Sequence, residues 1–207
     1  MGYPQNQIKF GIISTSDVEI KDLLKAWIAI SIAFAVVLGG TVFSLNFYFK
    51  FVLASLTVGT AFLFHELGHK IVAQKYGCFA EFRSFDNMLL LAVLMSFFGF
   101  IFAAPGAVIL SGRVNKKKSG IISAAGPVVN LALALIFLAI MFINLQNFKT
   151  IAHYGFMINL WLALFNMIPF WLFDGYKILK WSKLAYGSIV AVTIGFMLLQ
   201  NYIFPFK

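Results

Sequence analysis

The segment AFLFHELGHK carries His65, Glu66 and His69, a set of residue types and spacings suited to metal-assisted hydrolysis. On a helix, residues four apart share a face, so two imidazoles can grip one zinc while the glutamate beside them reaches an adjacent water. Zinc lowers the pKa of such a water towards neutrality and polarises a carbonyl under attack. Glu66 is then the group to accept the water proton and return it to a leaving nitrogen. A five-residue pattern with three fixed positions also arises by chance, but placement argues against chance here. Each ionisable group inside an apolar span costs on the order of a few kcal/mol to insert, and this chain gathers three of them in one turn of an apolar helix.

A catalytic zinc takes three protein ligands and leaves one position open. Beyond His65, Glu66 and His69, the chain has only six acidic residues and one histidine to supply the third. Asp17, Glu19 and Asp22 precede the first apolar run. His153 lies twenty-one positions before Asp174, about 31 Å away along a helix, so packing or interfacial hydrogen bonding is its expected role. Asp174 ends an apolar run on the same side as the end of the HELGH helix and is the favoured ligand; Glu81 and Asp86, in a basic connection, are weaker candidates. The approach to Asp174 reads FNMIPFWLFDG. Pro169 removes a helix hydrogen bond and disturbs the preceding turn, which would aim Asp174 towards the zinc. Asn166 offers an amide to a substrate carbonyl or developing oxyanion, or alternatively satisfies the carbonyl that Pro169 frees.

The elements that must position these groups are apolar throughout. The chain has 207 residues, 61% hydrophobic, 17% aromatic and 11% charged, too apolar for a soluble domain of this length. Runs at about 23–45, 51–69, 121–146, 151–173 and 185–204 each approach the ~20 residues that cross the hydrocarbon as a helix. A sixth stretch, 88–110, is interrupted by Gly99 and by Pro105-Gly106. The first twenty residues do not read as a cleaved signal peptide, since Asp17 and Glu19 fall where an apolar core would be needed. The lone Cys78 excludes an internal disulfide and a cysteine metal site.

The net charge of +9 reflects topology rather than nucleic-acid binding, because the basic residues flank the apolar runs. If 88–110 dips in and returns, Lys9, Lys21, Lys25, Lys70, Lys75, Arg83, Arg113, Lys116, Lys117, Lys118, Lys177, Lys180 and Lys183 all face one side. That side then holds thirteen of sixteen basic residues, leaving Lys50, Lys149 and Lys207 on the other. A single crossing would divide them and break the positive-inside rule. The expected fold is therefore an all-α polytopic membrane protein of five to six transmembrane helices. A re-entrant helix/strand element at about 86–112 is expected with it, a short helix followed by an extended return from Pro105 to Leu110. Irregular backbone at that depth needs protein or a wet cavity around it. The extended part would offer a strand edge, with Gly106 and Val108 on it, to an unwound substrate. No repeat or appended module is visible, so the reading is one membrane domain over 1–207, with an N-terminal tail at 1–22 and a catalytic core at about 50–180.

Taken together, HELGH, the AAGPVVN stretch from Ala124 to Asn130, and NMIPFWLFDG from Asn166 to Gly175 resemble the site-2 protease family of intramembrane zinc metalloproteases, peptidase family M50. The motifs fall in that family's order, with Phe173 where the family usually has leucine, and the resemblance spans roughly residues 60–180. It implies His65, His69 and Asp174 as ligands of one zinc per chain, Glu66 as general base, Asn166 as a substrate-positioning or oxyanion residue, and Asn130 as a substrate contact. The alternative for Asn130 is helix packing, with Gly126 allowing close approach. The resemblance also implies a membrane-embedded protein or peptide substrate and a multi-pass protein of the cell membrane. Its active site would lie nearer the cytoplasmic face, the side marked by the basic residues. Rival readings are a transporter, which predicts repeated halves that the sequence lacks, a catalytically silent helix-binding relative, which predicts a lost ligand or glutamate, and a zinc hydrolase acting on another amide or a lipid.

Overall fold

Ser16 marks the point at which the chain turns from strand to helix. Its hydroxyl accepts the Glu19 N–H at 3.2 Å, an N-cap that satisfies one of the donors left over in a first helical turn. The computed structural model describes residues 7–11, 13–39, 44–101, 105–143, 148–171 and 173–203. Before Ser16 lies an antiparallel hairpin, β1 (Gln7–Phe10) with β2 (Ile13–Ser16), and after it α1 (Asp17–Val37). The expected tail at 1–22 is thus a docked hairpin plus the first turns of α1, as far as it falls within the described residues. Gln74 holds the hairpin by exchanging hydrogen bonds with the Ser14 backbone, accepting its N–H at 3.0 Å and donating to its carbonyl at 2.9 Å.

The next helix opens at Ser44, whose hydroxyl caps the Phe47 N–H at 3.1 Å. It runs as α2 (Leu45–Ala54), a π-helical turn (Ser55–Gly59) and α3 (Thr60–Lys75), which carries HELGHK. The wider turn leaves the Ser55 carbonyl able to accept from Trp27 Nε1 on α1 at 3.1 Å. Gly59 is required beside it, since a Cβ there would fall 2.6 Å from the same nitrogen. The order continues β3 (Phe79–Ser84), α4 (Asp86–Ser96), β4 (Gly106–Ser111), α5 (Lys116–Phe142), α6 (Lys149–Asn166), α7 (Asp174–Trp181) and α8 (Lys183–Ile203).

The chain is mostly helical, but two two-stranded antiparallel sheets correct the all-α expectation. β3 escapes detection in the sequence because its partner β4 lies beyond an intervening helix. The segment at 86–112 is a short helix followed by a strand, with residues 102–104 outside the described residues. Its two ends meet: β4 pairs with β3, Val108 opposite Phe82, and the Phe85 N–H donates to the Pro105 carbonyl at 3.0 Å. The segment therefore comes back to where it left.

Among the described residues, two helices are long and apolar enough to cross a membrane on their own, Leu45–Lys75 and Lys116–Phe142. The helix limits differ from the hydropathy runs. α1 starts at Asp17 rather than 23 and α6 ends at Asn166 rather than 173, while the far ends of the expected runs at 40–43, 144–146, 172 and 204 lie outside the described residues. A core of Ala26, Ile30, Val58, Phe62, Phe82 and Leu89 joins α1, the α2–α3 helix, β3 and α4, and Val108 of β4 packs against it.

Candidate metal centre

His65 and His69 project from the same face of α3, as their spacing demands, and each ring is oriented through its Nδ1. His65 Nδ1 lies 2.5 Å from Asn130 Oδ1 and His69 Nδ1 lies 2.8 Å from the Ile122 carbonyl, both acceptors on α5. The orientation of the Asn130 amide follows from its other end. Its Nδ2 donates to Asn159 Oδ1 at 3.0 Å and to the Ala61 carbonyl at 3.3 Å, and Asn159 Nδ2 donates to the Gly155 carbonyl at 2.8 Å. With acceptors facing both Nδ1 atoms, the protons sit there and the Nε2 lone pairs point inwards. Pro127, inside α5, cannot donate to the Ser123 carbonyl one turn earlier.

Asp174 is the first residue of the eight-residue helix α7. Pro169 does not kink a longer helix, as the sequence suggested. α6 has already ended, and Pro169 lies in the tight connection, where the Phe173 N–H donates to the Phe170 carbonyl at 2.9 Å. Two contacts that only glycine permits then fix α7. A Cβ at Gly175 would fall 2.3 Å from the Met167 carbonyl oxygen, and one at Gly120 of α5 would fall 2.3 Å from Cβ of Trp181. Tyr186 of α8 also donates to the Met167 carbonyl, at 2.9 Å. α3 and α5 meet with similar closeness. A Cβ at Gly126 would lie 2.5 Å from Cε1 and Nε2 of His65 and 2.6 Å from Cε1 of His69.

The outcome is a triangle of ligand atoms. His65 Nε2 and His69 Nε2 are 3.0 Å apart, and Asp174 Oδ2 lies 3.3 Å from the first and 3.0 Å from the second. A tetrahedral zinc with bonds of about 2.0–2.1 Å separates neighbouring ligands by about 3.3–3.4 Å, so the donor set fits such an ion with small adjustments. Two imidazole lone pairs facing one another beside a carboxylate are also mutually repulsive unless a cation or proton lies between them. Among the described residues, His65, His69 and Asp174 are the one grouping of three potential metal ligands. Glu66, next to His65 on α3, is half-buried.

The remaining candidates fall in different places. Asn130 is fully buried and its Oδ1 faces His65 Nδ1, a hydrogen bond to a potential ligand. Asn166 donates to the Leu162 carbonyl at 2.9 Å, tying up the last turn of α6. Gly106 lies beneath the Phe82 ring, where a Cβ would meet Cζ at 2.3 Å. Glu81 is buried against Arg83, and Asp86 pairs with Lys25 at 2.8 Å, so both lie outside the ligand group. Cys78 packs with Ala73, Ala80 and Ile122. Sequence reasoning passed over Asn159, although a polar residue within an apolar run was its signal. It also passed over the buried pair of Lys70 with Glu19, having counted Lys70 as water-facing.

The fold and the site together define a mostly helical chain with a His/His/Asp group suited to zinc. A Methanocaldococcus jannaschii protein named "Putative zinc metalloprotease" is 40% identical over 156 residues, covering 73% of this chain and 82% of the relative. A second protein of that organism, named "Zinc metalloprotease", is 30% identical over 119 residues, 56% of this chain and 30% of the relative. The chain belongs to this family of zinc metalloproteases. It matches no family model and no solved structure.

Proposed function

We propose that the chain is a multi-pass membrane zinc endopeptidase of the site-2 protease type, cutting membrane-embedded protein or peptide substrates near the cytoplasmic face. The observation that carries the reading is the convergence of His65 Nε2, His69 Nε2 and Asp174 Oδ2 beside Glu66. These three residues would hold one zinc. When bound, that ion would supply Lewis acidity, polarising the scissile carbonyl and making a nearby water easier to deprotonate. Glu66 takes the water proton on its carboxylate and delivers it to the departing amide nitrogen. Asn130 keeps the His65 proton on Nδ1. Asn166, at the end of α6, orients the substrate carbonyl after exchanging its Leu162 partner.

Membrane placement is supported by the two apolar helices and by exposed side chains such as Leu45, Phe98, Trp171 and Leu184. α1, α6 and α8 complete five spans in this reading. The meeting of the two ends of 85–105 favours a re-entrant path. The edge of β4 suits an unwound substrate for a reason that lies in the pairing. In an antiparallel ladder, alternate residues direct N–H and C=O groups away from the partner strand. The Phe85–Pro105 bond puts the odd-numbered residues in the bonded set, so Gly106, Val108 and Leu110 present their backbone groups on the outer edge. A substrate strand would pair there.

The test is to compare wild type with Glu66→Gln, measuring bound zinc and cleavage of a membrane-tethered substrate. Zinc should be retained while cleavage falls by about 10²–10⁴-fold, the usual contribution of a positioned base. Equal cleavage by the two proteins refutes the assignment.

A further inference from the structure

Of the five carboxylates outside the metal centre, four surround one strand, β3. Glu19, fully buried on α1, accepts the Phe82 N–H on Oε1 at 2.9 Å and the Thr15 hydroxyl on Oε2 at 2.7 Å. The same Oε2 takes the buried ammonium of Lys70. One helical turn on, Asp22 accepts the Ser84 N–H at 3.4 Å and pairs with Lys25 at 3.0 Å. Lys25 also reaches Asp86 at 2.8 Å, and Glu81 is held by Arg83.

Phe82 and Ser84 belong to the set whose backbone groups point away from β4. Their N–H groups are those that a strand adding to the free edge of β3 would need, and carboxylates of α1 occupy them. An exposed sheet edge invites pairing, so this sheet would otherwise present two competing edges. Lys70 follows His69 directly, so a single buried carboxylate also joins β3 to the helix that carries both histidines. A buried ion pair in apolar surroundings is seldom more stabilising than a hydrophobic pair of equal volume. Stability alone is therefore a weak reason for this one.

We propose that Glu19 is a positioning residue for the substrate: it closes the outer edge of β3 and ties the β3–β4 sheet to α3, leaving the β4 edge as the one docking line, held at a fixed register to the metal centre. The inference rests on the reading of β4 as the substrate edge. In a strand, a register slip of two residues preserves the inward and outward faces, so a loosened sheet would cut at bonds two residues to either side of the normal one.

The experiment uses zinc-loaded full-length protein in bilayer discs and a membrane-tethered substrate, recording KM, kcat per bound zinc and the cleavage positions by mass spectrometry. Glu19→Leu with Lys70→Met removes the edge cap without leaving a buried cation. KM should rise about tenfold, kcat per zinc should stay within about twofold, and cuts should spread to bonds about two residues to either side of the normal one. Glu19→Gln with Lys70→Met retains an acceptor for the Phe82 N–H and should bring both readouts back towards wild type. Asp22→Leu is the milder test if the first variant folds poorly, since it opens only the Ser84 end; it should raise KM about threefold. An unchanged KM and cleavage map in the Glu19→Leu/Lys70→Met and Asp22→Leu proteins overturns the inference. So does activity that falls only in proportion to zinc content. Val108→Pro separates the two levels. If it cleaves normally, the β4 reading itself fails; if it is impaired while the Glu19 and Asp22 variants keep normal KM and cuts, only the role of Glu19 fails.

Discussion

Replacing Asn130 with alanine tests whether the fully buried amide between α3, α5 and α6 tunes the metal centre. The substitution removes the acceptor 2.5 Å from His65 Nδ1 and the donor 3.0 Å from Asn159 Oδ1. It does so where Asn130 has no exposed surface through which water could take over. Outer partners of metal-bound histidines typically contribute 10–100-fold in metal affinity, equivalent to about 1.4–2.7 kcal/mol. Two buried groups are also orphaned, at about 1–3 kcal/mol each, so stability should fall by about 2–6 kcal/mol before relaxation. Asn130→Asp retains an acceptor at His65 and gives up the donations to Asn159 and to the Ala61 carbonyl. The assay is zinc competition with a chromophoric chelator at fixed pH, on protein whose helical content matches wild type. Alanine should weaken zinc binding at least tenfold, and aspartate should not. A zinc dissociation constant for the alanine variant within twofold of wild type refutes the reasoning. Equal weakening by both variants would assign the effect to packing rather than to the hydrogen bond.

Gly126→Ala should abolish zinc binding measured by metal analysis while the protein remains helical, because its Cβ would press on both imidazoles at 2.5–2.6 Å. Val108→Pro removes an N–H from the open edge of β4, a position where proline is tolerated. It should cut substrate turnover strongly with zinc still bound. Ala107→Pro, at a residue paired with Arg83 inside the ladder, should instead destabilise the sheet by about 3 kcal/mol or more, the scale of a misplaced proline, seen as a lowered thermal midpoint.

The histidines were legible because a helical period of four puts them on one face whatever else the chain does. Asp174 was reachable because acidic residues are so few that side and depth leave little choice. The strand at Gly106–Ser111 could be suspected from Pro105 and Gly106. β3 could not, since FAEFRS becomes a strand only against a partner more than twenty residues away. Hydropathy set the start of α1 too late for a related reason. Glu19, Lys21, Asp22 and Lys25 look like solvated residues, yet Glu19 and Asp22 are buried because Lys70, Phe82 and Ser84 come to meet them. Such pairings leave no local trace. Asn166 and Asn130 stand out in the sequence as polar residues in apolar runs, but whether an amide faces a ligand or a substrate depends on a neighbouring helix.

The π-helical turn at Ser55–Gly59 bears on how this enzyme tolerates changes of length. An α-helix advances about 100° per residue, so a residue gained or lost ahead of His65 would swing both imidazoles away from Asp174. A π turn absorbs one extra residue locally, which lets α2 and α3 keep separate angular phases within one continuous rod. The turn is thus the place in Leu45–Lys75 where the chain can shorten by one residue, reverting to ordinary α-helix, without re-aiming the histidines. Gly59 and Trp27, which fit the wider turn, would then be released from that constraint.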